Sequence, residues 1–284
     1  MNNFIRDILT GFQTGIEKHN FPDTNIKWFK CCTYLLLLLK MLFIWPELSM
    51  FYRHALSVTS GSLMPHELFF LPLFKDSYHF YWLAACIVVG VSIFYRRFIL
   101  LSIAVFVITM NYFLLANKAI NTGDKLLNFF IFMSIFVQEG SLKNGIRKMI
   151  NNAVLIVLQV HFCLLYVINA FGKIINPFWR DGSSFNSIWH LSYYANPNLI
   201  PHWLLNPKLY FITAWVVIIF ELIFPVLIWF RPFKKPVLIA GILFHIGIAA
   251  SLSLPDFGVT MIIGYLLFFD FKQIYTKANT QITV

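Results

Sequence analysis

The stretch AVLIVLQVHFCLLYVINAF, residues 153–171, holds no Asp, Glu, Lys or Arg. A helix of about 20 apolar residues crosses the hydrocarbon core of a bilayer, so this run reads as a transmembrane span. It is not uniformly apolar. At about 100° per residue, Gln159, Tyr166, Asn169 and the following Lys173 fall within an arc of about 80°, with Leu, Val, Ile and Phe between them. One polar stripe therefore descends an apolar helix and ends in a lysine. Such a stripe serves either interhelical hydrogen bonding or a chemical site, and for Lys173 snorkelling to the interface competes with both. His161, on the opposite side of the helix, reads as a packing histidine.

The rest of the chain repeats this pattern. Of 284 residues 59% are hydrophobic and 12% charged, against about 25% charged in a soluble domain, so water could not wet the surface all round. Apolar runs predict spans near 29–45, 78–95, 98–116, 126–137, 153–171, 209–230, 237–252 and 257–269. The expected fold is an all-α membrane protein, a polytopic bundle of about eight transmembrane helices. The fourth and eighth runs are short, and the fourth either begins earlier or re-enters. Residues 1–28 read as a polar N-terminal segment able to form an interfacial helix, 29–271 as one transmembrane domain and 272–284 as a short polar tail. No cleavable signal peptide is expected.

The net charge of +10 does not point to nucleic acid, because Lys and Arg lie in short clusters between apolar runs. The N-terminus (with Lys30 at its edge), the even loops and the C-terminus hold twice as many of them as the odd loops, which argues for cytoplasmic termini. Short loops without a sorting signal suit a bacterial inner membrane. Cys31, Cys32, Cys86 and Cys163 make no CxxC or metal spacing and read as small apolar residues. Scattered histidines without HxxxH or HExxH give no expectation of a metal.

Three further features carry chemistry. Glu221 sits deep in the sixth span, four residues before Pro225, which predicts a kink and a free carbonyl beside the carboxylate. An isolated carboxylate there must be paired or protonated, and Lys40, Lys173 and His245 are its candidate partners. His245 lies one turn from Gly241 and one from Ala249, small residues that let another helix approach and bring the imidazole to an interface. Asn121-Thr122-Gly123-Asp124 reads as a turn into a helix N-cap, and Trp179-Arg180-Asp181-Gly182 as an interfacial turn.

Taken in order, these pieces resemble a known family. Asn121-Thr122-Gly123-Asp124-Lys125-Leu126-Leu127 is similar to the Asn-Gly-Gly-Asp-x-Leu-Leu element of the HTTM proteins, bacterial relatives of vitamin K-dependent γ-glutamyl carboxylase. Leu158-Gln159-Val160-His161 through Tyr166, Gly172-Lys173 and Trp179-Arg180-Asp181-Gly182 resembles the next block, an apolar helix ending in Lys and followed by Trp-x-Asp/Glu-Gly. Phe220-Glu221-Leu222 and Phe244-His245 match two later helices, and Phe257 through Phe268 the last.

The resemblance covers about residues 25–270 and implies a function. Lys173 would be the base that deprotonates a reduced vitamin K or menaquinone, with His245 and Glu221 lining the site. Gln159, Tyr166 and Asn169 would contact the cofactor. Asn121, Gly123, Asp124, Trp179, Asp181 and Gly182 would be motif positions. The implied reaction is that of a quinone-linked lyase or oxidase at the outer face, acting on a secreted peptide or protein. The alternative is a non-catalytic membrane factor for maturation, export or immunity of a secreted peptide.

Overall fold

The computed structural model describes residues 23–52, 77–116, 120–140, 145–191, 195 and 198–269, and among these there is no strand. The expected polar segment falls partly outside them, since residues 23–28 already belong to the first helix and residues 1–22 are not described. The expected tail, 272–284, also lies outside the described residues. The chain divides into two compact units. Met1–Ile156 with Phe269–Val284 form one and Val157–Phe268 the other.

Unit one holds α1 (Asp23–Ile44), α2 (Tyr78–Phe94), α3 (Ile99–Leu115), α4 (Thr122–Ser134) and the beginning of α5 (Gly145–Ile175). α1 packs against α2, α3 and α4, while α2 lies on α3 and α3 on α4. Phe29, Leu37, Met41, Trp82 and Phe130 fill the space between them, and the Trp82 indole donates to the Met41 carbonyl at 3.0 Å. α4 does begin earlier than the apolar run suggests. Asn121 is its N-cap and accepts from Asp124 N at 3.1 Å, while Asp124 accepts from Asn121 N at 3.0 Å, a reciprocal capping box. The cap is thus Asn121, with Asp124 in the third helical position.

Unit two holds the rest of α5, the single turn α6 (Pro177–Arg180), α7 (Ser183–His190), α8 (Pro207–Leu227), α9 (Arg231–Ser251) and α10 (Pro255–Tyr265). Proline near the start of α6, α8, α9 and α10 presets the first turn where its missing N–H is not needed. α9 packs along α10 and on α8, while α6, α7 and the 3₁₀ turn His202–Leu205 gather on α8. Phe162 is the hub, with edge or tilted ring contacts to Tyr166, Phe224, Tyr265 and Phe268. α8 carries Pro225 inside it and ends two residues later at Leu227, short of the Phe230 expected from hydropathy.

Four helical segments are long and apolar enough to cross a membrane: Asp23–Tyr52, Gly145–Ile175, Pro207–Leu227 and Arg231–Ser251. Tyr78–Phe94, Ile99–Leu115 and Pro255–Phe268 are apolar but shorter. The outward faces of these helices are apolar as well, with Phe43, Phe94, Leu100, Ile168, Val216 and Leu243 among the exposed side chains. Surfaces of that kind on hydrogen-bonded helices suit lipid and not water. The chain therefore has the makings of a multi-pass membrane protein.

Candidate functional site

The residues with chemical potential in unit two come from α5, α8, α9 and α10. Lys173, in the last turn of α5, donates from Nζ to both carboxylate oxygens of Glu221 at 2.7 Å. Both side chains are largely buried. The same ammonium lies over the Trp179 ring, 4.9 Å from its centroid, so an aromatic face also meets the charge. Glu221 has thus taken Lys173 from its three candidate partners. Lys40 pairs with Asp124 in unit one, at 2.8 Å, and His245 bonds elsewhere.

Depth along the helix follows from this pairing. Glu221 lies 14 residues after Pro207, about 21 Å along α8 at 1.5 Å per residue. Lys173 therefore pairs with a carboxylate about six residues before the end of α8.

Two turns before Lys173 on α5, a second chain of hydrogen bonds begins. The Tyr166 hydroxyl meets His245 Nε2 at 2.8 Å and also the Tyr265 hydroxyl. All three groups are buried. Tyr166 is stacked on Phe224 with centroids 4.3 Å apart, and Phe244 and Phe257 flank the imidazole. The other ring nitrogen, His245 Nδ1, is buried and has no hydrogen-bond partner among the described residues.

Glycines create this arrangement. A Cβ at Gly241 would run into the Tyr265 hydroxyl and ring, and one at Gly258 would come within 2.8 Å of the His245 carbonyl and of the Ala249 side chain. α10 is thus the helix whose approach the small face of α9 permits.

The polar stripe of α5 divides. Gln159 is buried and donates to the Leu267 carbonyl at 2.7 Å, a packing contact, and Tyr166 turns to His245. Asn169 is exposed and bonds back to the Leu165 carbonyl of its own helix at 2.8 Å. The structure does not bring Asn169 to the Lys173 group, because its 40° offset from Lys173 on the wheel carries it past the α8 contact.

The motif residues prove to be architectural. Gly182 has φ +84°, and a Cβ there would collide with the backbone of Tyr210 and Phe211, so only glycine fits the junction between α6 and α8. Asp181 is exposed and accepts from the Ser183 hydroxyl at 2.7 Å and the Ser183 N–H at 2.8 Å, which hold its carboxyl below the usual carboxylate range. Trp179 packs edge-on against Phe185, in a small core with Tyr210 and Ala214. Asn121 and Asp124 make the capping box, and Gly123 lies buried inside it.

Sequence reasoning missed two groups. Tyr265 sits in a short apolar helix where a tyrosine carries no signal by itself. Lys30, counted among the basic residues of the N-terminal side, is 1% exposed. Its Nζ donates to the carbonyls of Arg96 (2.9 Å) and Val137 (3.1 Å) and to Ser102 Oγ (3.1 Å). Tyr34 bridges Ser102 and Ser134 beside it. Among the described residues no three His, Cys, Asp or Glu side chains gather as a metal site, and the four cysteines are unbridged.

No family model, no curated protein and no solved structure matches this chain. Its function is argued from these residues.

Proposed function

We propose that the chain is a multi-pass membrane enzyme of the HTTM type that works on a quinone-like lipid, with Lys173 as base and Glu221 and His245 beside it. The observation that carries the reading is the buried Lys173–Glu221 pair, with both oxygens at 2.7 Å. An ammonium paired in this way can pass its proton to the carboxylate. The pair then holds a neutral amine and a carboxylic acid with no change in net charge, and the amine is a competent base.

The surrounding residues fit a hydroquinone headgroup. His245 Nδ1 is a buried polar atom without a partner among the described residues, and the Phe244 and Phe257 rings pack edge-on with the imidazole. His245 would hold a headgroup oxygen, Lys173 Nζ would accept the hydroxyl proton, and the aromatic side chains would exclude water. A bound hydroquinone would supply two reducing electrons. Gln159 and Asn169, given cofactor roles by the resemblance, have no part in this reading, and Tyr166 acts through His245.

In the same reading the longer and shorter apolar helices make about eight crossings, with the termini on the cytoplasmic side of a bacterial inner membrane. The basic residues Arg147 and Lys148 at the start of α5, and Arg231, Lys234 and Lys235 at the start of α9, support that orientation. A secreted peptide or protein is the second substrate.

The test titrates detergent-purified wild type and Lys173→Ala with reduced 2-methyl-1,4-naphthoquinone under anaerobic conditions and then admits oxygen. The wild type is expected to bind and oxidise it. Lys173→Ala is expected to stay folded and bind, with oxidation slowed at least about 100-fold, the usual contribution of a positioned base. If neither protein binds or oxidises the naphthoquinol, the enzyme reading falls, and a non-catalytic partner of a secreted peptide replaces it.

A further inference from the structure

We infer that Tyr166 is a positioning residue that locks His245 in its Nδ1–H tautomer, so that the unpartnered ring nitrogen donates a hydrogen bond to an acceptor oxygen of the bound ligand. This rests on the reading of the same site as a quinone site and names the contact that the ligand makes there.

The argument is a count of protons. His245 is buried without a carboxylate partner, since Glu221 belongs to Lys173. A buried imidazolium would need an acceptor at each nitrogen, and Nδ1 has none among the described residues, so the imidazole is neutral and carries one N–H. If the Tyr166 oxygen accepted from both neighbours its own proton would have no acceptor, which leaves two arrangements of the Tyr265–Tyr166–His245 chain. In one, His245 Nε2–H donates to the Tyr166 oxygen and Tyr166 donates to Tyr265. The Tyr265 hydroxyl proton then has no acceptor among the described residues, and Nδ1 is bare. In the other, Tyr265 donates to Tyr166, Tyr166 donates to His245 Nε2, and the imidazole proton sits on Nδ1. Both arrangements hold the same protons. The second satisfies every hydroxyl and leaves one open group, Nδ1–H. An unmade buried hydrogen bond costs enough to decide between them.

An Nδ1–H donor suits a quinone carbonyl, or the anionic oxygen left when Lys173 has taken a hydroquinone proton. The N–H does not accept, so a hydroxyl ligand gains nothing from its own proton at this edge. The site therefore favours the oxidised or deprotonated ligand, in which charge resides on oxygen.

The decisive readout needs no ligand. In the full chain labelled with ¹⁵N-histidine in detergent, with the His245 signals identified by their loss in His245→Gln, the wild type should show Nδ1 protonated and Nε2 bare. Tyr166→Phe removes the one donor to Nε2 among the described residues, and the proton should shift wholly or partly to Nε2. Tyr265→Phe leaves the Tyr166 donor in place and should retain the wild-type tautomer. An Nε2–H tautomer in the wild type overturns the inference, whatever happens to the variants.

The ligand arm uses 2-methyl-1,4-naphthoquinone itself. Its affinity should fall about tenfold in Tyr166→Phe and in His245→Gln, the worth of one buried hydrogen bond. Unchanged affinity in both variants removes the Nδ1 contact while leaving Lys173 as base, which the oxidation assay judges separately. Binding of the quinone with no effect of Lys173→Ala on oxidation does the reverse.

Discussion

Two buried lysines of this chain are used in opposite ways. Lys30, in unit one, donates among the described residues to neutral acceptors, two backbone carbonyls and a serine hydroxyl, one for each proton of its ammonium. Lys173, in unit two, meets one carboxylate and an aromatic face, and lies near a histidine whose second nitrogen has no partner. A cation saturated by neutral backbone groups ties loops and helix ends together and has nowhere to send a proton. A cation beside a carboxylate has somewhere to send one. A saturated cation serves the scaffold, and a cation facing a carboxylate is placed to move a proton.

That contrast is broken most sharply at Lys30. Lys30→Met removes three hydrogen bonds to a charged donor and strands the carbonyls of Arg96 and Val137. A loss of about 3 kcal/mol or more is expected in unfolding by denaturing detergent, with no specific effect on quinone binding by the molecules that remain folded. A loss below about 1 kcal/mol would mean that Lys30 is not the tie it resembles. At Lys173 the pattern reverses, because Glu221 can take up a proton when its partner is lost. There the oxidation assay should register the larger change and the unfolding curve the smaller.

Gly182→Ala comes next. The residue must keep a left-handed φ of +84° while its new Cβ meets the backbone at Phe211. About 2 kcal/mol or more should be lost, and Trp179 fluorescence should shift as its packing against Phe185 and Tyr210 loosens. Asn121→Ala removes the cap of α4 and should cost about 1 kcal/mol in the same unfolding measurement. Asp124 is then left to Lys40, so a much larger loss would show that the ion pair depends on the capping box.

The smallest effect is at Asp181. Its carboxyl is held below the ordinary value of 3.8 by Ser183. The turn is therefore supported above about pH 4 and released as pH falls through the lower folded value. The Ser183 amide resonance should titrate below pH 3.8, and a midpoint above it would refute the bond.

Much of the fold is legible in local sequence. The bounds of α2 and α3 lie within one residue of the apolar runs, because Arg96-Arg97 and the flanking polar residues end them sharply. α5 is longer by two turns at its start, where Gly145–Asn152 continues the helix beyond the apolar run and Asn151 exchanges two hydrogen bonds with the backbone of Gln138. Hydropathy cannot see a helix that leaves the apolar layer without breaking. The site was legible as types of residue: the stripe on α5, the carboxylate on α8 and the small face of α9 around His245 all came from spacing.

The sequence by itself determined that this chain is helical, apolar on its outer faces and suited to a bilayer, because backbone polar groups in lipid must bond within their own segment and a run of apolar residues records that locally. Only the tertiary structure decided the pairings. Glu221 took Lys173 and left Lys40 to Asp124, Asn169 turned outward, Lys30 turned inward and Tyr265 completed the chain to His245. The reason is geometric: which polar groups meet depends on each helix's rotation and depth, and a few degrees or one turn of either exchanges one partner for another.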